Sequence, residues 1–508
     1  MTSLESFINA YLASYSNVFF IRQFVVIICL FIFGAVISTA LTDKDDPWQL
    51  RCVMAYPLGI CAFAATAYAM IVIGIPYNWM TVCSAVLIEA AVAVYFSRSS
   101  YLDILSKKKL IRAAICAAVV LVTAFIAVSG IAPVIISNDT MYFYRRYPDC
   151  IVYFEGLRDQ FDFWMTDTGL GAVAVDTLPA LFGFGESFGI REFFHLNFIA
   201  FFGMCVFEKS KQYLSGRNRV VAAVAITLVL VASTPFVILG HWALANMYFM
   251  ELFLIAAYYT YMQDGKGIGA SALLLVALAL FRIEGTMFVV WLIVCLAVYR
   301  DIGKKLAGFV LVPVIVLFGG YCIKIFTGFY LFDNIYLFLT PQKAVLLIGA
   351  IAFSAVYIAF VQPKLPKALS SKLSCIYIGA MILGNLVLLV YDSEHYIGNI
   401  KAFGSNLFRQ SGWGMLPYFV ISAIVLFGAE FAVSYKNKKI MPDGSNSFNS
   451  VLTAGFILIV VAAAFGRGDI LMEDVGDSGN RVLLQVTPLI VMTFGELGMN
   501  LVKIRDEM

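Results

Sequence analysis

Residues 270–298 read ASALLLVALAL-FRIEG-TMFVVWLIVCLAV, and this stretch decides the fold. Ala270–Leu280 and Thr286–Val298 carry no charge, whereas Arg282 and Glu284 stand between them. Each run is shorter than the roughly 20 residues with which a helix crosses a bilayer. A charged side chain at membrane depth costs about 3 kcal/mol or more unless it is paired or wetted. The segment therefore reads as two short helices meeting at one membrane face, with the ion pair turned into a cavity. Such a pair either braces a broken helix or belongs to a functional site, and the spacing is compatible with both.

The rest of the chain extends this pattern. Of 508 residues, 61% are hydrophobic and only 13% charged, a composition that excludes a soluble globular protein. Apolar runs repeat along it at 18–41, 52–75, 79–97, 112–133, 188–207, 219–239, 246–262, 270–282, 286–299, 306–326, 343–362, 374–391, 415–434, 450–466 and 483–502. The expected fold is an all-α polytopic membrane protein of about fifteen transmembrane helices. No Lys or Arg precedes Arg22, so a cleaved signal peptide is not expected. The ten cysteines are scattered through apolar runs without a CxxC pair, which points to neither disulfides nor a cysteine metal site. Alternate loops are basic and hold 23 of the 35 Lys and Arg residues, among them Lys107–Lys109, Lys209, Lys304, Lys305 and Lys436–Lys439. The positive-inside rule makes these loops cytoplasmic, with the N-terminus outside and the C-terminus inside.

The opposite, non-cytoplasmic face then receives the largest loop, about 134–187. Aromatics such as Tyr142, Tyr144, Tyr153 and Trp164 alternate there with acids. This mixture suits short amphipathic helices lying in the membrane interface, and an interfacial aromatic belt accounts for most of these rings. His241-Trp242, Arg282/Glu284 and Asn480-Arg481 fall on the same face.

Several residues could carry chemistry. Asp139, in Ser137-Asn138-Asp139-Thr140, follows the fourth span and precedes Arg145-Arg146. A partly desolvated carboxylate there could act as a general base, whereas the spacing by itself favours a helix C-terminal turn or an Asx turn. Arg282 is suited to a bidentate phosphate contact, and Glu284 could orient it or bind a sugar hydroxyl. Arg481, just before the last span, is either an interfacial snorkelling arginine or a phosphate ligand. His195, His241 and His395 show no metal-ligand spacing. Glu430 and Glu496 lie inside spans without an assigned role. No GxxxxGK[ST], GxGxxG or nucleophile-elbow pattern stands in a suitable setting, so soluble nucleotide cofactors are not indicated.

Taken in order, these segments resemble the GT-C superfamily of integral-membrane glycosyltransferases. In that family an acid just after a span opens the first large external loop, as Asp139 does in SNDTMYFYRR. An Arg-Pro-Glu-Gly-like element at the outer end of a short span resembles Arg282-Ile283-Glu284-Gly285, with Ile in place of Pro. Asn480-Arg481 resembles a terminal Asn-Arg found before the last helices of bacterial members. The resemblance covers about 110–501, so that 1–110 becomes an N-terminal three-helix addition and 111–508 the catalytic module.

What the resemblance implies is transfer of a sugar from a polyprenyl-phosphate donor to an acceptor hydroxyl on the extracytoplasmic face of a bacterial-type cell membrane. The acceptor is a glycan, a lipid or a protein, and no nucleic-acid partner is expected. Asp139 would be the base of a single inverting displacement, with Asp149, Asp159 or Asp162 as a second acid. Arg282, Arg481, Arg145 and Arg146 would bind the donor phosphate, while Glu284, Asp159, Asp162 and His241 would contact or orient the sugar or acceptor. Some relatives use a divalent metal and others none. The competing expectation is a transporter or flippase for a polyprenyl-linked sugar, which would use intramembrane charges as a substrate path.

Overall fold

The computed structural model describes residues 17–43, 45–97, 107–129, 146–157, 169–183, 188–242, 244–300, 302–328, 339–366, 372–409, 413–422, 425, 444–466, 470–473 and 478–507. Their regular structure is helical, with no strand among them. In chain order the helices are α1 (Asn17–Leu41), α2 (Trp48–Ile73), α3 (Trp79–Phe96), α4 (Lys107–Val128), α5 (Tyr147–Tyr153) and α6 (Leu170–Leu181). They continue as α7 (Phe188–Ser210), α8 (Gly216–Val231), α9 (Thr234–His241), α10 (Ala245–Gln263), α11 (Ile268–Phe281) and α12 (Gly285–Tyr299). The last seven are α13 (Val312–Gly328), α14 (Pro341–Val356), α15 (Leu373–Tyr391), α16 (Ser393–Phe408), α17 (Gly444–Phe465), α18 (Ser478–Leu484) and α19 (Thr487–Glu507).

Ten helices among the described residues are long and apolar enough to cross a membrane, and eleven if the pair α8 and α9, bent by 65°, is one broken span. This is an integral, multi-pass helical membrane protein. A bilayer offers no partners for backbone N–H and C=O groups, and helices satisfy these groups internally. Exposed apolar side chains complete the picture: Leu87 on α3, Leu346 on α14 and Leu383 on α15 are 62–73% exposed, as lipid-facing residues are. Four of the fifteen expected spans are not in the count of eleven: α10, where Asn246, Glu251 and four tyrosines lower the hydropathy, the short α11 and α12, and the segment at 415–434. Helices α11 and α12 have 14 and 15 residues, about 21 and 23 Å, short of the ~30 Å hydrocarbon core. The segment expected at 415–434 lies mostly outside the described residues.

Helix α10 is the axis of the bundle. Eighteen of its residues are buried, and α6, α7, α11, α12 and α19 pack around it. Small residues let neighbouring backbones touch elsewhere. A Cβ on Gly34 of α1 would fall 1.8 Å from the Ala55 carbonyl oxygen of α2, so these two helices cross backbone to backbone.

One expectation needs correction. The structure joins Cys52 of α2 to Cys116 of α4 by a disulfide, with Cα atoms 6.7 Å apart. The residues are separated by 64 positions, and helix packing rather than a sequence motif brings them together. Within the loop expected at 134–187, helix α6 is enclosed by the bundle, with ten of its residues buried. The sequence LGAVAVDTLPAL is apolar on every side except for Asp176 and Thr177, and such a helix belongs inside.

Candidate functional site

One end of the bundle gathers its polar side chains around the turn between α11 and α12. Helix α11 stops at Phe281 because Arg282 takes extended backbone, φ −141° and ψ 154°. The Gly285 N–H then donates to the Arg282 carbonyl and the Thr286 hydroxyl to the Ile283 carbonyl, both at 3.0 Å. Helix α6 braces this turn from outside. A Cβ on Gly171 would fall 2.4 Å from the Leu280 carbonyl oxygen, so only glycine permits the approach. Gly169, at φ +79°, packs the same way against Arg282 and Ile283.

The Arg282 guanidinium is held from two sides. Nε donates to Glu284 Oε1, and Nη1 donates to Asn246 Oδ1 at 2.8 Å, at the start of α10. Three further acid–base pairs stand around it. Arg191 in the first turn of α7 pairs with Asp176 of α6 and donates to the Leu244 carbonyl at 2.8 Å. Its guanidinium lies 4.8 Å from the centre of the Tyr248 ring. One turn along α7, His195 pairs with Glu251 of α10. Between these two, Glu192 meets His241, the last residue of α9, at 3.2 Å. The two imidazole rings are 5.3 Å apart, centre to centre.

Burial divides the four pairs into two kinds. Asp176, Arg191, His195 and Glu251 are at most 4% exposed, whereas Glu192, His241, Arg282 and Glu284 keep 12–15%. A dry layer of two buried pairs, Arg191–Asp176 and His195–Glu251, therefore supports a rim of two accessible ones. Arg481 joins the rim, its guanidinium 5.7 Å from the centre of the Trp242 ring. The neighbouring Asn480 accepts a hydrogen bond from the Trp413 indole at 2.7 Å. Among the described residues, Nδ2 of Asn246 and the hydroxyl of Tyr248 are buried without a hydrogen-bond partner.

The structure thus brings together Arg282, Glu284, His241 and Arg481 among the residues singled out from sequence. Arg146 starts α5 as an exposed side chain beside Cys150. Asp139, Arg145, Asp159 and Asp162 lie outside the described residues. Asp149 is in the first turn of α5.

Sequence reasoning missed Asp176, Arg191, Glu192 and Glu251. A signal existed for two of them. Asp176 in LGAVAVDTLPAL and Glu251 in MYFMELFLIAA are lone carboxylates in apolar runs, and such residues mark functional sites or buried pairs. Their partners, 15 and 56 residues away, were not readable. His195 and His241 lack a metal-ligand spacing yet are neighbours in space. Among the described residues no three or more His, Cys, Asp or Glu side chains are grouped to hold a metal ion.

The opposite end of the bundle carries its own buried pair. Lys209, in the last turn of α7, binds Glu496 of α19 and lies 4.5 Å from the Tyr258 ring centre. Asn449 of α17 donates to the second Glu496 oxygen. Between the two ends runs a dry belt. Phe253, Leu254, Ile255, Ala256 and Ala257 on α10 are at most 1% exposed, and Phe288 stacks on Phe456 at 4.2 Å.

Comparison with protein-family models, with curated proteins and with solved structures finds no match to this chain.

Proposed function

We propose that this protein is a GT-C-type glycosyltransferase, taking a sugar from a polyprenyl-phosphate donor at the membrane surface and passing it to an acceptor hydroxyl on the extracytoplasmic face. The observation that carries the reading is the rim of accessible polar and charged side chains on a dry base of buried pairs. Rigidly supported, partly exposed charges are what a preorganised site requires. Fifteen spans and a GT-C topology belong to the same proposal.

In this mechanism the acceptor oxygen attacks the anomeric carbon and forms a new C–O bond as the bond from that carbon to the phosphate oxygen breaks. The acceptor proton passes to the Asp139 carboxylate, and the bonding pair leaves with the lipid phosphate. Negative charge grows on that phosphate, where Arg282 and Arg481 oppose it, with Arg145 or Arg146 approaching from the loop. Glu284 and Asn246 fix the orientation of the Arg282 guanidinium through its Nε and Nη1. His241 and Glu192 offer the sugar or acceptor hydroxyls a hydrogen-bonding pair. The greasy donor tail stays among lipid-facing helices while the polar acceptor arrives from water.

A second reading, a flippase for the same lipid, draws support from the Lys209–Glu496 pair, which places charge at the far end of the bundle as well. A transport path needs polar stations through the membrane. On α10 the interval from Glu251 to Tyr258 spans about 10 Å and carries none, and this favours the transferase.

The test uses purified protein with a panel of polyprenyl-phosphate sugars, run beside flux of the same lipids across vesicles. Asp139→Asn keeps the shape of the side chain but cannot take the proton, and should lower transfer by about 10²–10⁴. Full transfer by that variant would remove Asp139 as the base. Protein-dependent lipid movement without donor consumption would replace the transferase with the flippase.

A further inference from the structure

A cavity of about 1140 Å³ opens at the Lys209 end, between α7, α8 and the 43–50 segment. It exceeds the roughly 300–1,000 Å³ of an ordinary small-molecule pocket. Its walls change character with depth. The deep part is apolar, with Ala200 and Met204 of α7 facing Val224 and Leu228 of α8. The mouth is charged, formed by residues that include Asp43, Asp45, Asp264, Lys266 and Arg300.

Depth and opening both match one leaflet of a bilayer. Along α7 the lining runs from Ala200 to Lys209, and at 1.5 Å per residue this is about 14 Å, against about 15 Å for half the hydrocarbon core. Val224 and Leu228 are 54% and 60% exposed, so the apolar wall is open sideways towards lipid. A water-soluble ligand would leave that wall unused; an acyl chain would cover it.

The mouth specifies the headgroup. Lys266 Nζ lies 3.9 Å from Asp43 and 3.8 Å from Asp45, and Arg300 lies 3.6 Å from Asp264. These separations exceed the ~2.8 Å of a closed charge-assisted hydrogen bond. Both cations can therefore turn to a phosphate oxygen, and the acids can turn to an ammonium group. Among the described residues Glu208 is bound to Lys211 and Lys209 to Glu496, which leaves Asp43, Asp45, Asp46 and Asp264 facing Lys266 and Arg300. The excess of acid over free base disfavours a net anionic headgroup.

We infer that this groove binds one phospholipid with a zwitterionic, ammonium-bearing headgroup. Its phosphate meets Lys266 and Arg300, its ammonium meets Asp43 and Asp45, and an acyl chain lies along α7 and α8. The site is at the far end of the bundle from Arg282 and does not depend on the transferase reading.

The experiment reconstitutes the full chain into nanodiscs of equal phosphatidylethanolamine and phosphatidylglycerol, re-extracts it, and quantifies retained lipid by native mass spectrometry. Phosphatidylethanolamine should be retained in preference. Val224→Trp, on an exposed position that leaves the core intact, should abolish that retention by filling the groove. Asp45→Asn with Lys266→Gln, both exposed side chains, should weaken it about fivefold. Equal or greater retention of phosphatidylglycerol would overturn the headgroup assignment, and retention unchanged by Val224→Trp would overturn the site.

Discussion

Helix α7 ends on a buried ion pair at both extremities, and the two settings differ. Arg191 and Lys209 are about 27 Å apart along the helix, each paired with a carboxylate that water does not reach. At the Arg191 end a second tier stands on the buried pairs: Glu192–His241 and Arg282–Glu284 keep part of their surface accessible. At the Lys209 end the pair is enclosed by Tyr258, Tyr261 and Asn449, and the accessible charges belong to the mouth of a lipid-facing groove. A buried pair by itself is thus a structural element, and what sets the Arg282 end apart as the candidate site is the accessible rim that the pair holds in place.

The largest effects should come from orphaning a charge in either dry layer. Asp176→Ala leaves Arg191 buried without its carboxylate and should cost about 3–5 kcal/mol of stability. The Asp176→Leu, Arg191→Met double variant should recover much of that loss. Thermal unfolding in detergent separates the two, and a single variant as stable as the parent would contradict the buried assignment. Lys209→Met should destabilise comparably by orphaning Glu496, but leave the transfer rate per folded molecule unchanged. A specific loss of transfer in that variant would dissolve the distinction between the two ends.

Smaller changes should appear at the rim and its brace. Arg282→Lys keeps the charge but loses the planar fork, at about 1.5–3 kcal/mol for the charge-assisted bonds involved, read as a raised KM for the lipid donor. Gly171→Ala would push α6 off the Leu280 carbonyl and should cost about 1–3 kcal/mol, with transfer falling as the Arg282 turn shifts. The smallest effect belongs to Asp46, in the connection between α1 and α2. Burial holds its carboxyl above the ordinary carboxylate range, against hydrogen bonds from Gln263 and Tyr259 that lower it. A raised folded-state pKa means that its contribution is complete below about pH 4 and is lost as pH rises through the folded value. Asp46→Asn should therefore flatten that part of the stability profile and raise the unfolding temperature slightly at pH 8 relative to the parent. An unchanged pH profile would show that Asp46 is better solvated than its contacts imply.

Much of the architecture was legible because the bilayer imposes a one-dimensional rule on the chain. An apolar run without charge must become a helix there, and α1, α2, α3, α4, α7 and α15 fall where hydrophobicity alone put them. The short pair around Arg282 was legible for the same reason, since two charges interrupt an apolar stretch too short on either side to span.

The candidate site was legible only in part. Arg282, Glu284, His241 and Arg481 stood out as charges at the ends of apolar runs. The residues that hold them did not: Asp176, Arg191, Glu192, His195 and Glu251 sit in separate helices, and their pairing follows from how α6, α7, α9 and α10 pack. Cys52 and Cys116 met for the same reason. The sequence alone determined that the chain is a bundle of membrane helices broken at Arg282, because the cost of exposing backbone or charge to lipid depends on local composition. Only the tertiary structure decided which charges neutralise one another, because a buried charge takes whichever partner the packing of distant helices presents.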